Sequence, residues 1–233
     1  MDSQFWIGLL QIVSIDILLG GDNAVVIALA SRGLPEHQRR KAMMWGMAGA
    51  VGIRIVLIFF ALALLKIPYL RLVAALMLFW IGVNLIGGHE EEGGKEIGGG
   101  ASLLAAIRTI IVADAVMSID NIIGVAGAAR DNMLLIALGI SVSIPVILWG
   151  SALVLKGLDR FPSLILIGGG LIGWISGEML VMDAAIASRI GAQAQWLSWA
   201  SPAGFALLTV VAGKWRAVRR PGQRVDLAEE EGK

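Results

Sequence analysis

Cysteine is absent from the 233 residues, which removes disulfides, thiolate metal sites and thiol chemistry together. Histidine is nearly as scarce. The two present, His37 and His89, fall in predicted loops, so a zinc or copper centre, which draws on His or Cys, is excluded from the apolar segments. Charged residues make up only 16% of the chain, against about 25% in soluble domains. A net charge of +1, with no patch of interleaved arginines and aromatics, argues against a nucleic-acid partner. No Lys or Arg precedes Arg32, so the basic leader of a cleaved signal peptide is missing and the first hydrophobic segment is expected to stay in the mature protein.

What is present is apolar surface. Hydrophobic residues account for 57% of the chain and the mean hydropathy is +0.79, a composition that requires a bilayer as solvent. Stretches bounded by charge, Gly and Pro predict seven helices near 5–31, 42–65, 68–87, 103–129, 132–155, 162–182 and 195–213. A Gly- and Glu-rich loop from Gly87 to Gly100 separates the first three from the last four, and the polar stretch after Lys214 reads as a disordered cytoplasmic tail. With the N-terminus outside, thirteen Lys and Arg fall on the inner side and four on the outer, the asymmetry that places positive loops in the cytoplasm.

Within this apolar background one acidic motif occurs twice. Asp16-Ile-Leu-Leu-Gly-Gly-Asp22-Asn23 returns 98 positions later as Asp114-Ala-Val-Met-Ser-Ile-Asp120-Asn121, and each copy is followed by an arginine, Arg32 and Arg130. The duplication extends outward: helices 2 and 5 align at an offset of 90, pairing Gly49 with Gly139, and helices 3 and 6 at an offset of 94, pairing Trp80 with Trp174. A repeat of three helices inserts its second copy upside down. The expected fold is all-α and membrane-embedded: seven transmembrane helices as an inverted 3+3 repeat (about 5–87 and 103–182) plus one additional helix, N-terminus outside and C-terminus cytoplasmic.

Carboxylates at membrane depth are costly and point to function, and an inverted repeat brings both motif copies to the midplane. On a straight helix, acids six residues apart point about 120° away from each other and differ by about 9 Å in height. Both acids of one copy therefore reach one ion only if the helix is interrupted. Gly20-Gly21 is the place for this in helix 1; in helix 4 either an interruption or a face carrying Asp114, Ser118 and Asn121 is open. The expected metal ligands are Asp16, Asp22, Asn23, Asp114, Asp120 and Asn121, with Asp22 and Asp120 facing a common site. Ser118, Met117, Glu178 and Arg54 are secondary candidates. Hard oxygen donors suit Mg²⁺, Ca²⁺ or Mn²⁺, and a thioether from Met117 would tilt the preference to Mn²⁺, although Met117 also reads as simple helix packing. Four carboxylates with Arg54 and one divalent cation leave a charge of −1, so metal release is expected to couple to proton uptake.

Blander readings exist for several of these groups. Arg54 reads as a structural counter-ion as well as a gate, Glu178 as a ligand or a relay, and Gly168-Gly169-Gly170 as close helix packing. Asp183 is expected at the outer end of helix 6.

The segments Leu19-Gly20-Gly21-Asp22-Asn23-Ala24-Val25-Val26 and Ser118-Ile119-Asp120-Asn121-Ile122-Ile123, with Gly173-Trp174-Ile175-Ser176-Gly177-Glu178 in helix 6, resemble the TerC family of integral membrane proteins, related to the lysine-exporter superfamily. The resemblance covers about residues 1–213. It implies a seven-helix protein of the bacterial inner membrane, in a family linked to manganese export, to metallation of exported proteins and, by name, to tellurite resistance; the family's motif acids map onto Asp16, Asp22, Asp114 and Asp120. An acidic centre without cysteine does not suit a tellurite oxyanion. The expected function is divalent cation transport, with Mn²⁺ as the exported ion, no catalytic cofactor, and lipid as the constant partner. The alternatives are a non-transporting partner that hands metal to, or assembles with, other membrane proteins; an intramembrane aspartyl hydrolase, whose G-x-G-D signature fails at Leu19-Gly20-Gly21-Asp22; and an amino-acid exporter. Further copies of the chain, as a homo-oligomer, or other membrane proteins are the partners expected besides lipid.

Overall fold

A computed structural model of the chain describes residues 3–60, 64, 67–88, 102–129, 133–183, 185–187 and 196–219; the side chains at 3, 4, 19, 120–129 and 133–136 fall outside that description. Arg130, most of the Gly- and Glu-rich loop and the last fourteen positions, 220–233, lie outside the described residues, as do the side chains of Asp120 and Asn121.

All elements among the described residues are helices: α1 Ser3–Leu19, α2 Gly21–Ser31, α3 Glu36–Phe59, α4 Leu70–Gly87, α5 Leu103–Ala129, α6 Met133–Arg160, α7 Leu164–Met182 and α8 Leu197–Val218. Helix α3 starts six residues before the predicted position because Glu36 to Lys41, although polar, are good helix formers, and Glu36 complements the positive end of the helix. Helix α6 continues past 155 to Arg160, and α8 continues past 213 to Val218, so Lys214 and Arg216 belong to its final turns and not to a tail. In each case hydropathy marked the apolar slab, whereas the helix extends beyond it.

Among the described residues, α3, α4, the part of α6 from Ala137, and α7 are each long and apolar enough to cross a bilayer; α1 and α2 make a fifth candidate if the pair, bent by 49°, is one span. Four to five candidates therefore stand where hydropathy reading predicts seven. The side chains of α5 are described only from Leu103 to Ile119, short of a full span, and α8 opens on the semi-polar run Leu197-Ser-Trp-Ala-Ser-Pro202.

The first span breaks at Gly20, as the Gly20-Gly21 pair predicts. Gly20 adopts φ −98° and ψ 8° between the two helices, and a Cβ there would stand 2.5 Å from the Asp16 carbonyl oxygen. Helix α5 carries the second motif copy without interruption.

Close packing organises the rest. Helix α5 lies against α3, α1, α2 and α4; α6 against α1 and α2; α7 against α4; and α8 against both α4 and α7. One core cluster, including Leu29, Met47, Leu78, Ile110, Met117, Ile147 and Ile172, ties α2 through α7 together. Glycines set the helix spacing: a Cβ on Gly46 would meet Ile110 of α5 at 2.8 Å, and one on Gly177 would meet the backbone of α8 at 2.5 Å. The glycine run in α7 is packing too, with Gly168 on Val25 and Leu29 of α2 and Gly169 on Ile86 of α4.

Candidate functional site

Five helices contribute polar side chains to one buried centre. Asp16 on α1, Arg54 on α3 and Asp114 on α5 are 3%, 4% and 5% exposed. The Arg54 guanidinium bridges the two acids, with Nη1 donating to Asp16 Oδ1 and Nη2 to Asp114 Oδ1. Its Nε donates to Ser118 Oγ at 3.0 Å, one turn along α5, and Ser118 donates to Asp114 Oδ2 at 3.3 Å. From α2, Asn23 Nδ2 donates to Asp114 Oδ1 at 2.9 Å. From α6, Ser143 Oγ donates to Asp16 Oδ2.

The sequence places these groups for local reasons. Asp114 and Ser118 are four apart on an unbroken helix and so share a face. Asn23 is the third residue of α2, where the break at Gly20 turns the new helix so that its side chain enters the centre. Asp22, one residue earlier, is half-buried and occupies the first turn of α2, where its Oδ1 accepts the Asn23 N–H at 2.9 Å and faces the positive helix end.

Three buried charges in an apolar slab each lose several kcal/mol of solvation, and at an effective dielectric near 20 each guanidinium–carboxylate contact returns about 4 kcal/mol. The centre is therefore sustained by its hydrogen bonds as much as by charge attraction: Arg54 is bonded through all three nitrogens, and every carboxylate oxygen of Asp16 and Asp114 accepts at least one donor. Taken as ionised, the three groups carry a net charge of −1. One acceptor is left over: Asn23 is 2% exposed and its Oδ1 has no hydrogen-bond partner among the described residues.

The acids that Arg54 joins are the first of each motif, Asp16 and Asp114. Asp22 is half-buried in the first turn of α2, next to Asn23 and within electrostatic reach of Asp114 and Arg54, and the side chains of Asp120 and Asn121, expected to share its site, lie outside the described residues. Arg54, a secondary candidate, is the hub. Ser118 is in the network, but Met117 is packed in the core, and Glu178 is exposed on α7, because its neighbours Ser176 and Gly177 take the buried face. Among the described residues no three His, Asp or Glu side chains are grouped to hold a metal; Arg54 stands between the acids. Ser143 was missed, although it adjoins Ile144, the position that aligns with Arg54, and a serine there in an apolar helix was a usable signal. Asp183, at the end of α7, is buried and accepts the Leu72 and Ala185 N–H groups at 3.2 and 3.0 Å, tying α4 to α7.

The chain matches the family model described as "Integral membrane protein TerC family" over residues 1–221. It is 46% identical over 183 residues to "Uncharacterized membrane protein YjbE" of Bacillus subtilis, covering 78% of this chain and 83% of that protein. It is 29% identical over 177 residues to YceF of the same organism, covering 72% and 68%, and 26% identical over 197 residues to the inner membrane protein YgdQ of Escherichia coli, covering 73% and 82%. No solved structure matches it. With a family model spanning nearly the whole chain and helices built for a bilayer, this protein belongs to the TerC family of integral membrane proteins.

Proposed function

We propose that the protein is a divalent cation transporter that exports Mn²⁺ across the bacterial inner membrane in exchange for protons. The observation that carries this reading is the buried centre itself: one acid from each motif copy, Asp16 and Asp114, meets in an oxygen-rich cluster beside a broken helix, the feature with which transporters build ion sites. Carboxylate, amide and hydroxyl oxygens suit a hard divalent ion.

Packing supports the inverted repeat behind it. Helix α3 sets Gly46 and Gly49 on Ile110 and Ile111 of α5, and its counterpart α6 sets Gly139 on Ile12 of α1, where Ile12 is the repeat equivalent of Ile110. The polar contacts follow the same rule, since α3 sends Arg54 to Asp114 and α6 sends Ser143 to Asp16. Helix α8 packs on α4 and α7 alike, as a helix outside the repeat would. Seven spans with the N-terminus outside complete this topology. The aspartyl hydrolase alternative fares worse, because a shared-proton dyad needs two facing carboxyls and here a guanidinium separates them.

The test is Mn²⁺ flux into liposomes containing the purified protein. Wild type is expected to move Mn²⁺, faster with an opposing pH gradient, and Asp16→Asn and Asp114→Asn to lose this while remaining folded. Flux indifferent to the pH gradient removes the proton exchange. No flux in wild type removes transport and favours a role in handing metal to other membrane proteins.

A further inference from the structure

On the reading of this centre as a cation pathway, we propose that Arg54 is a tethered competitor of the cargo: its guanidinium holds the cation site in the metal-free protein, and metal enters only by displacing it from the same oxygens.

Arg54 touches both converging acids and Ser118, so no cation can coordinate Asp16 and Asp114 together while the guanidinium stays. A guanidinium is a suitable stand-in, because its planar fork satisfies two carboxylates at once. Asn23 supplies an independent sign of a second occupant. Its amide nitrogen is committed to Asp114, and its Oδ1, fixed in the same planar group and fully enclosed, has no donor among the described residues. Buried acceptors are almost always partnered, and Arg54, with all three nitrogens engaged elsewhere, does not serve this one. A metal ion taking the place of the guanidinium would find two carboxylates and this amide oxygen within one cluster, all of them hard donors.

The exchange also solves a release problem. Two buried carboxylates with no counter-charge would hold a divalent ion tightly and be left uncompensated when it departs. An arginine that returns to the acids drives the ion off and restores the charge balance, so the empty carrier can reset. The repeat is asymmetric at this point: the counterpart position is Ile144, so only α3 carries the competitor.

The experiment compares wild type, Arg54→Ala and Arg54→Lys in lipid nanodiscs, with Mn²⁺ binding read by the loss of the free-ion paramagnetic resonance signal. Arg54→Ala is expected to bind Mn²⁺ at least tenfold more tightly than wild type yet to transport it more slowly in liposomes. Arg54→Lys should fall between them, since a point charge does not bridge two acids; it retains the charge and carries the same ordering should Arg54→Ala fail to fold. Millimolar guanidinium chloride, against sodium chloride at equal strength, should weaken Mn²⁺ binding to Arg54→Ala competitively and leave wild type unchanged. Equal or weaker Mn²⁺ binding in both variants overturns the proposal, as does a non-competitive guanidinium effect, which would mean repulsion from a distance. Wild-type flux persisting beside either result leaves transport standing and removes only the arginine's role. Absence of flux and binding in all three proteins removes the transport reading and the proposal with it.

Discussion

Replacing Asp114 by Asn and by Leu separates the charge of this side chain from its bonding. Arg54 Nη2 and Asn23 Nδ2 both donate to Oδ1, while Ser118 donates to Oδ2. An asparagine therefore keeps its Oδ1 where two donors converge, and its amide nitrogen faces Ser118 Oγ, which can reverse its role and accept. The loss is the downgrading of charge-assisted bonds to neutral ones, about 1–2 kcal/mol. Leucine has a similar volume and no acceptor. It leaves the Asn23 amide unpaired at about 1–3 kcal/mol and breaks one arm of a buried ion bridge, a change of about 3–5 kcal/mol when a partner is removed. Thermal unfolding followed by tryptophan fluorescence, for which the chain has eight reporters, should place Asp114→Asn a few degrees below wild type and Asp114→Leu at least twice as far below. Mn²⁺ binding should be lost in both. If Asp114→Leu is as stable as wild type, or Asp114→Asn is the less stable of the two, the bonding described for this centre is wrong.

Other substitutions test the surrounding structure. Gly177→Leu places a side chain where even a Cβ would stand 2.5 Å from the Ser201 carbonyl oxygen and 2.7 Å from Pro202; it should detach α8 and expose it to limited proteolysis, at a cost of about 3 kcal/mol or more from overpacking against backbone. Asn23→Leu removes both the donor to Asp114 and the unpartnered oxygen, so it should abolish Mn²⁺ binding while costing about 1–3 kcal/mol in a denaturation assay. At the exposed ion pair, Asp159 is 49% exposed, and Asp159→Ala should cost under about 1 kcal/mol. Arg39→Ala should cost more, because Arg39 also donates to the Leu34 and Arg32 carbonyls at 2.9 Å; equal unfolding midpoints for the two variants would refute this difference.

Much of the architecture could be read from residue order alone, because membrane helices are written in hydropathy and a duplicated motif survives as repeated letters. The helix break was legible for a related reason: six residues cannot bring two acids together on a regular helix, and Gly20-Gly21 was the place where the backbone could yield. The polar ends of α3, α6 and α8 were not legible, since hydropathy detects the bilayer slab and is blind to helix that continues beyond it.

Composition and order also determined the chemistry on offer: hard oxygens, no thiols, few imidazoles, and acids in pairs at membrane depth. What they could not decide was which acids meet. Asp16 and Asp114 lie 98 positions apart, and their convergence depends on how α1, α3 and α5 cross and on the glycine contacts that set the crossing. The same packing carries Arg54 between the acids and turns a cluster that reads as four carboxylates awaiting an ion into one already holding a cation of its own. Sequence specifies charge and spacing along one chain, whereas electrostatic competition depends on distance through space, and only the tertiary structure supplies that.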